Sequence, residues 1–357
     1  MPLSPPRRLG AALASTLVLG LVASCSAAAP AGPSVAPSPT ATGYRGAPIG
    51  KAAEPGEAPE PTTTPVGRVV PLPEGTRPWG VAAAKSVGKV YLAARKQNLF
   101  AVYDMATGLV ASVPVPGSAR MIDLVAPEGP LLLPAENGAM LYTLALPSLE
   151  VVRADPTRRQ PHQGVQVGGT TFVTEEYGHA VRAIRDGKTV ADLTEPVQPG
   201  GIAAAGTRVA AVDVKTNLLF VYDATTLKLV AALPAGKGPS HVVSIGDGRV
   251  AVCDVRGNQI ITYDLSGTPR ELGRAAVPGR AFWVVADPAS NTIYAALSNT
   301  NKIAKLSVSA SGKPRLVTTV PTVQNPISFD RDPVTGNLYV GGFADSELQI
   351  IPASAFE

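Results

Sequence analysis

Aromatic residues make up 5% of the 357 residues, charged residues 16%, and there are two cysteines and three histidines. Each shortage removes a class of protein. Cys25 and Cys253 are the whole thiol complement, which leaves no disulfide framework and no Cys-x-x-Cys redox or metal pair. His162, His179 and His241 never stand as His-x-x-x-His, and neither an Asp-rich calcium loop nor a Gly-x-x-x-x-Gly-Lys phosphate loop occurs. The motifs therefore imply no metal and no cofactor. The formal charge is +4, but Lys and Arg are scattered and form no run that would grip a phosphate backbone, so nucleic acid is not an expected partner. What is abundant is apolar content, 45%, enough for a sizeable core.

Arg7 and Arg8 precede an apolar stretch over residues 9–22, the charged and hydrophobic regions of an export signal, too short to span a bilayer comfortably. It ends in Leu21-Val22-Ala23-Ser24-Cys25, which resembles the lipobox of bacterial lipoproteins. That resemblance implies cleavage after a 1–24 signal peptide, lipidation of the Cys25 sulfur, and a protein anchored by lipid on the extracytoplasmic side of the cell membrane. Cys253, in the apolar run Val250-Ala251-Val252-Cys253, reads as a small buried hydrophobe. Residues 25–65 are dominated by Pro, Ala, Ser and Thr without apolar periodicity, the composition of a semi-rigid disordered tether. In polyproline geometry, at about 3.1 Å per residue, it would reach on the order of 100 Å.

From Gly67 onward the chain repeats. Arg208 to Asp213, Asn217 to Asp223 and Leu227 to Pro234 form the clearest copy, followed by Arg249 to Asp254, Asn258 to Asp264 and a strand from Glu271. Turns rich in Pro or Gly recur near Pro78, Ala119, Pro161, Pro199, Pro239, Gly279 and Pro326, at separations of 41, 42, 38, 40, 40 and 47 residues. A period near forty built from four short strands predicts an all-β propeller with seven blades over residues 66–357. Six or eight blades are the competing counts. Only three strands follow Pro326, and residues 66–72 read as an orphan outer strand, so the N-terminal strand is expected to complete the last blade and close the ring.

The recurring Val-Tyr-Asp at 102–104 and 221–223, with Thr-Tyr-Asp at 262–264, resembles the YVTN-type propeller repeats of bacterial surface proteins. That resemblance implies the fold and carries no reaction with it.

In a propeller, the inter-blade turns and the turns between second and third strands share one face around the channel mouth. The inter-blade turns bring Arg77, Trp79, Arg120, His162, Gln163, His241 and Arg280 to that mouth. Arg and imidazole together suit an anionic ligand, while Trp79 offers a stacking surface. An enzymatic alternative, as in propeller lyases, takes His162 or His241 as general base with Glu175 or Glu176 beside it. Asp213 and Asp254 end equivalent strands and read as turn-forming residues. The expected protein is a monomeric, non-catalytic binding or scaffolding lipoprotein of the envelope. Its partner would be an envelope protein, a peptide or a glycan.

Overall fold

The computed structural model describes residues 46–357. The expected signal segment 1–24, the expected lipidation site Cys25 and the expected tether up to residue 45 lie outside them. Residues 66–357 form seven four-stranded antiparallel sheets arranged as the blades of a propeller. Blade 1 runs Pro78–Ala84, Lys89–Ala94, Leu99–Asp104 and Val110–Pro114 from the axis outward. The inner strands of blades 2 to 7 are Asp123–Leu124, Pro161–Val167, Pro199–Ala205, Pro239–Gly246, Ala281–Asp287 and Pro326–Arg331. Blade 7 takes its outermost strand from the N-terminal side: Arg68–Pro71 pairs antiparallel with Glu347–Ile351, Arg68 opposite Ile350 and Pro71 opposite Glu347. The ring is thus closed by the two ends of the repeat, and no open sheet edge is left at the closure.

Burial explains the repeat. Second strands such as Arg208–Asp213, with the sequence RVAAVD, are buried on both faces because neighbouring blades cover both. Seven apolar clusters are found among the described residues, one for each cleft between adjacent blades. Near the axis the blades converge and only small side chains fit, which accounts for Val81-Ala82-Ala83-Ala84 and Ile202-Ala203-Ala204-Ala205 on inner strands.

The tyrosine of each Tyr-Asp pair is buried, Tyr103 at 4% exposure and Tyr222 and Tyr263 at 0%. The aspartate folds the turn that follows. Asp223 Oδ1 accepts from the Thr225 and Thr226 backbone N–H groups at 3.1 and 2.8 Å, and Asp104 does the same for Ala106 and Thr107. Asp213 and Asp254 tie the other end. Asp254 Oδ1 accepts from the backbone N–H groups of Lys237, Gly238 and Gly257, so one carboxylate holds the inter-blade turn against the turn that begins the third strand.

Residues 46–65 differ from the free tether expected of their composition. Gly50 N–H donates to the Lys215 carbonyl at 2.8 Å and Arg256 Nη2 to the Lys51 carbonyl at 2.9 Å. Gly56 N–H donates to Ser298 Oγ at 2.7 Å, and its carbonyl accepts from Asn325 Nδ2 at 2.9 Å. Gln324 and Asn301 donate to the carbonyls of Ala58 and Pro59. The segment therefore crosses blades 4 to 7 on the loop face, with Ala53 buried in the same cluster as Trp79 and Phe282. Prolines leave such a stretch few N–H donors to satisfy and many free carbonyls, which the Asn, Gln and Arg side chains of the turns take up.

Candidate functional site at the channel mouth

The ladder pairing the first two strands skips immediately after the first residue of the inner strand, between Pro161 and Gly164, Pro199 and Ile202, Pro239 and Val242, and Ala281 and Trp283. Such bulges re-aim the next side chains toward the axis. His162 and His241, two blades apart, thereby meet with ring centroids 5.8 Å apart. Between them stands blade 4, which offers Gly200 and Gly201 at the corresponding positions. A Cβ on Gly201 would lie 2.7 Å from the His241 Cα, so only glycine permits this approach.

The histidines divide the channel. His162, 5% exposed, lines a cavity of about 80 Å³ under residues 52–54, together with Trp79, Arg120 and Glu176. His241, 3% exposed, lines the larger channel cavity of about 360 Å³ on the other side. Burial holds both imidazoles uncharged at neutral pH. His241 is lowered to about 3 by burial and then by His162, and His162 is lowered well below the ordinary value by burial and the Arg120 charge. The His241 Nδ1 lies 2.8 Å from the Phe282 carbonyl, which assigns the proton to Nδ1 and leaves Nε2 a lone-pair acceptor without a partner.

Arg120 is not free for an anion, because its guanidinium is ion-paired with both Glu136 and Glu176. Carboxylate oxygens of those two residues and a ring nitrogen of His162 all lie within 4.8 Å of one another, a donor set that could hold a divalent cation. The guanidinium already neutralises it. Motif spacing could not reveal this cluster, since its members come from two turns and an inner strand of two blades.

Glu175 is not beside the histidines. It ends the second strand of blade 3 opposite Pro161, the position held by Asp213 and Asp254 in the next two blades, and like them it accepts a loop N–H, from Arg158 at 2.7 Å. Arg182 lies 3.3 Å away, and burial raises the carboxyl to about 7. Its role is to hold the turn. Gln163 belongs to the channel wall, donating to Asp123 at 2.9 Å and accepting from the Ile202 N–H at 3.1 Å. Arg280 is exposed and lies outside the group, against Gly56 of the crossing segment.

Trp79 and Arg77 meet residues that the repeat pattern did not single out together. The Arg95 guanidinium stacks 4.0 Å over Trp79, Arg77 lies 4.4 Å over Phe343, and the two rings pack edge to face at 5.1 Å. With Ile327, Gln324 and residues 54–58 they wall a cavity of about 500 Å³ on the loop face. The only advance signal was position, since Arg77 and Arg95 both fall in loop-face turns.

No family model matches the chain and no curated protein sequence matches it. Solved structures do. A chain of a mitotic checkpoint complex superposes with a TM-score of 0.69 at 13% identity, covering 85% of this chain and 98% of that one. Hydrazine synthase of Kuenenia stuttgartiensis gives 0.68 at 14%, covering 80% and 98%. Virginiamycin B lyase of Staphylococcus aureus gives 0.65 at 15%, covering 80% and 98%. The class is thereby defined: a seven-bladed β-propeller of four-stranded blades. Proteins so different in role share this ring that the likeness carries the fold and no activity.

Proposed function

We propose that this chain is an envelope lipoprotein, anchored through Cys25 on the extracytoplasmic side of the membrane, whose propeller is a non-catalytic binding module working through its loop face. The observation that carries the reading is the cavity of about 500 Å³ walled by Trp79, Phe343, Arg77 and Arg95. Guanidinium groups stacked on aromatic rings in a concave site are the composition of an interface anchor. The Arg donors suit a carboxylate or a main-chain carbonyl, so an extended peptide of an envelope protein is the preferred partner and a glycan the second. The Tyr-Asp repeats, similar to those of YVTN-type surface propellers, and the lipobox-like segment support the same compartment.

A lyase role has less behind it. His162 and His241 do converge, but burial lowers both and leaves each a weak base, Glu175 Oε1 is held by the Arg158 N–H, and Glu176 is paired with Arg120. The test has two parts. Labelled palmitate should be incorporated into the wild-type chain and not into Cys25→Ser, which should leave the membrane fraction. Cross-linking on intact cells should capture a partner that the double variant Arg77→Glu, Arg95→Glu loses while its thermal unfolding is unchanged. Capture unaffected by the double variant overturns the loop-face assignment.

A further inference from the structure

The channel beyond the histidines has a composition the loop face does not explain. Its cavity of about 360 Å³ is walled mostly by Val, Ala, Ile and Leu with Trp283 and Phe329, and its charged lining residues are Asp123 and Asp330. No Lys or Arg lines it among the described residues. Along the inner strands of blades 3 to 7, burial gives way to partial exposure toward the strand ends, as at Val165, Ala204, Ser244, Val285 and Asp330. The cavity is therefore reached from the face opposite the loop mouth, which residues 50–59 cover. At that outer end Lys85 and Arg331 stand beside an adjoining hollow, each already paired, with Asp332 at 3.8 Å and Asp287 at 2.8 Å.

Inside, the polar atoms without partners are acceptors. Asp123 Oδ2 is buried without a partner of its own, while Gln163 Nε2 donates to Oδ1 and the Gly164 backbone N–H also acts on the carboxyl. His241 Nε2, on a side chain 3% exposed, is also unpartnered, and His241 lines this cavity and not the one at the loop mouth. Asp330 accepts backbone N–H groups from Ala83 and Arg331, at 2.8 Å each. A buried acceptor lacking a donor is destabilising, and two carboxylates facing one apolar cavity without a cation more so. The missing complement is a molecule with several donors, positive charge and an apolar body. A bare metal ion does not fit, because the donor atoms of Asp123, Asp330 and His241 are not close enough together to form a ligand cluster; the sole such cluster among the described residues is at the loop mouth.

We propose that the inner channel binds an organic ammonium ion, entering from the face opposite the loop mouth, with Asp123 and Asp330 accepting from the ammonium group. Trp283 and Phe329 cover the apolar body. The volume lies at the lower end of small-molecule sites, about 300 to 1,000 Å³, which suits an arylalkyl amine. Burial raises Asp123 to about 7 and, against the pull of two backbone N–H groups, Asp330 to about 6. The empty channel is thus partly protonated near neutrality, and a bound cation draws both carboxyls to their charged forms.

Phenethylammonium is the probe, titrated calorimetrically into the full chain in detergent at about pH 8, where both carboxylates are ionised. Saturable binding is expected, weakened at least about tenfold by Asp123→Asn and by Asp330→Asn. The neutral 3-phenylpropan-1-ol should bind at least about tenfold more weakly than the ammonium. Should an Asn variant fail to fold, the wild type alone decides, since its affinity should fall at least about tenfold between about pH 8 and about pH 5 as the carboxylates take up protons. Equal affinity for the alcohol, a flat pH dependence, displacement of the probe by calcium chloride alone, or no binding at about 10 mM probe would each overturn the assignment.

Discussion

The two halves of the channel solve the problem of buried charge in opposite ways. At the loop mouth, Arg120 stands between Glu136 and Glu176, Arg95 and Arg77 stack on Trp79 and Phe343, and residues 50–59 lie across the top. Beyond the histidines, Asp123 and Asp330 face an apolar cavity that no Lys or Arg side chain lines. The same strand scaffold, repeated seven times, supplies both. A repeat fixes where a side chain points, and the identity of the residue at each bulge decides whether the space is filled and neutralised or left open.

The largest test of that contrast is Arg120→Ala. It leaves two partly buried carboxylates facing each other beside His162, and unfolding stability should fall by about 3–5 kcal/mol in urea titration. A loss under about 1 kcal/mol would mean that the glutamates turn out to solvent and that the mouth is less rigid than its ion pairs imply. Gly201→Ala comes next. The added Cβ meets the His241 Cα at 2.7 Å and the Ser240 carbonyl at 3.0 Å, so about 1–3 kcal/mol should be lost and the histidine pair pushed apart. Unchanged stability would show that blade 4 can shift without disturbing the partition.

The channel half is tested by pH. Burial raises Asp123 to about 7 and Asp330 to about 6, above the unfolded value near 4. Between those limits the folded chain holds more protons than the unfolded chain, and this contribution to stability declines as pH rises through the window. His162 and His241, lowered by burial, act in the opposite sense, since below about 6.5 the unfolded imidazoles take up protons that the folded ones refuse. Asp123→Asn removes one term alone. Its stability relative to wild type should improve by roughly 1–2 kcal/mol between about pH 4.5 and about pH 8. A difference that does not change with pH would place the Asp123 carboxyl in water.

The smallest effect belongs to the crossing segment. A Cβ on Gly56 runs into Asn299, so Gly56→Val should lift residues 50–59 from the mouth with a stability change of at most about 1–2 kcal/mol. Trp79, buried beneath Ala53, should then emit at longer wavelength while Trp283, on the other side of the histidines, keeps its emission. An unshifted spectrum would mean that the segment stays seated on its side-chain hydrogen bonds.

How much of this was legible differs between scaffold and site. The blade count, the strand order and closure by residues 66–72 followed from the forty-residue period and the missing fourth strand after Pro326. The turn roles of Asp213 and Asp254 were legible because they recur, whereas Glu175 escaped because a longer acid stands at the same position. The spacing put His162 and His241 at equivalent turns two blades apart, but their burial, the separate cavities they line and the two glycines between them depend on neighbouring blades. Asp123 was hidden because blade 2 departs from the repeat and keeps only Asp123–Leu124 as its inner strand. Phe343 and Asp330 sit in blade 7, far in sequence from the Trp79 and Ala83 they meet. Residues 46–65 carry no periodicity, and their docking rests on single Asn, Gln and Arg donors and on the Gly50 and Gly56 N–H groups, spread over four blades.

The sequence by itself determined the ring, because burying two faces of every blade requires the same apolar strands at the same interval, and that requirement is written locally. It also determined, through residues 1–25, the resemblance to a lipid-anchored export product. Only the tertiary structure decided which charges meet, since the axis brings together residues some forty to two hundred and fifty positions apart. Whether a carboxylate there is answered by a guanidinium or by nothing depends on distances of a few ångströms that no spacing along the chain encodes.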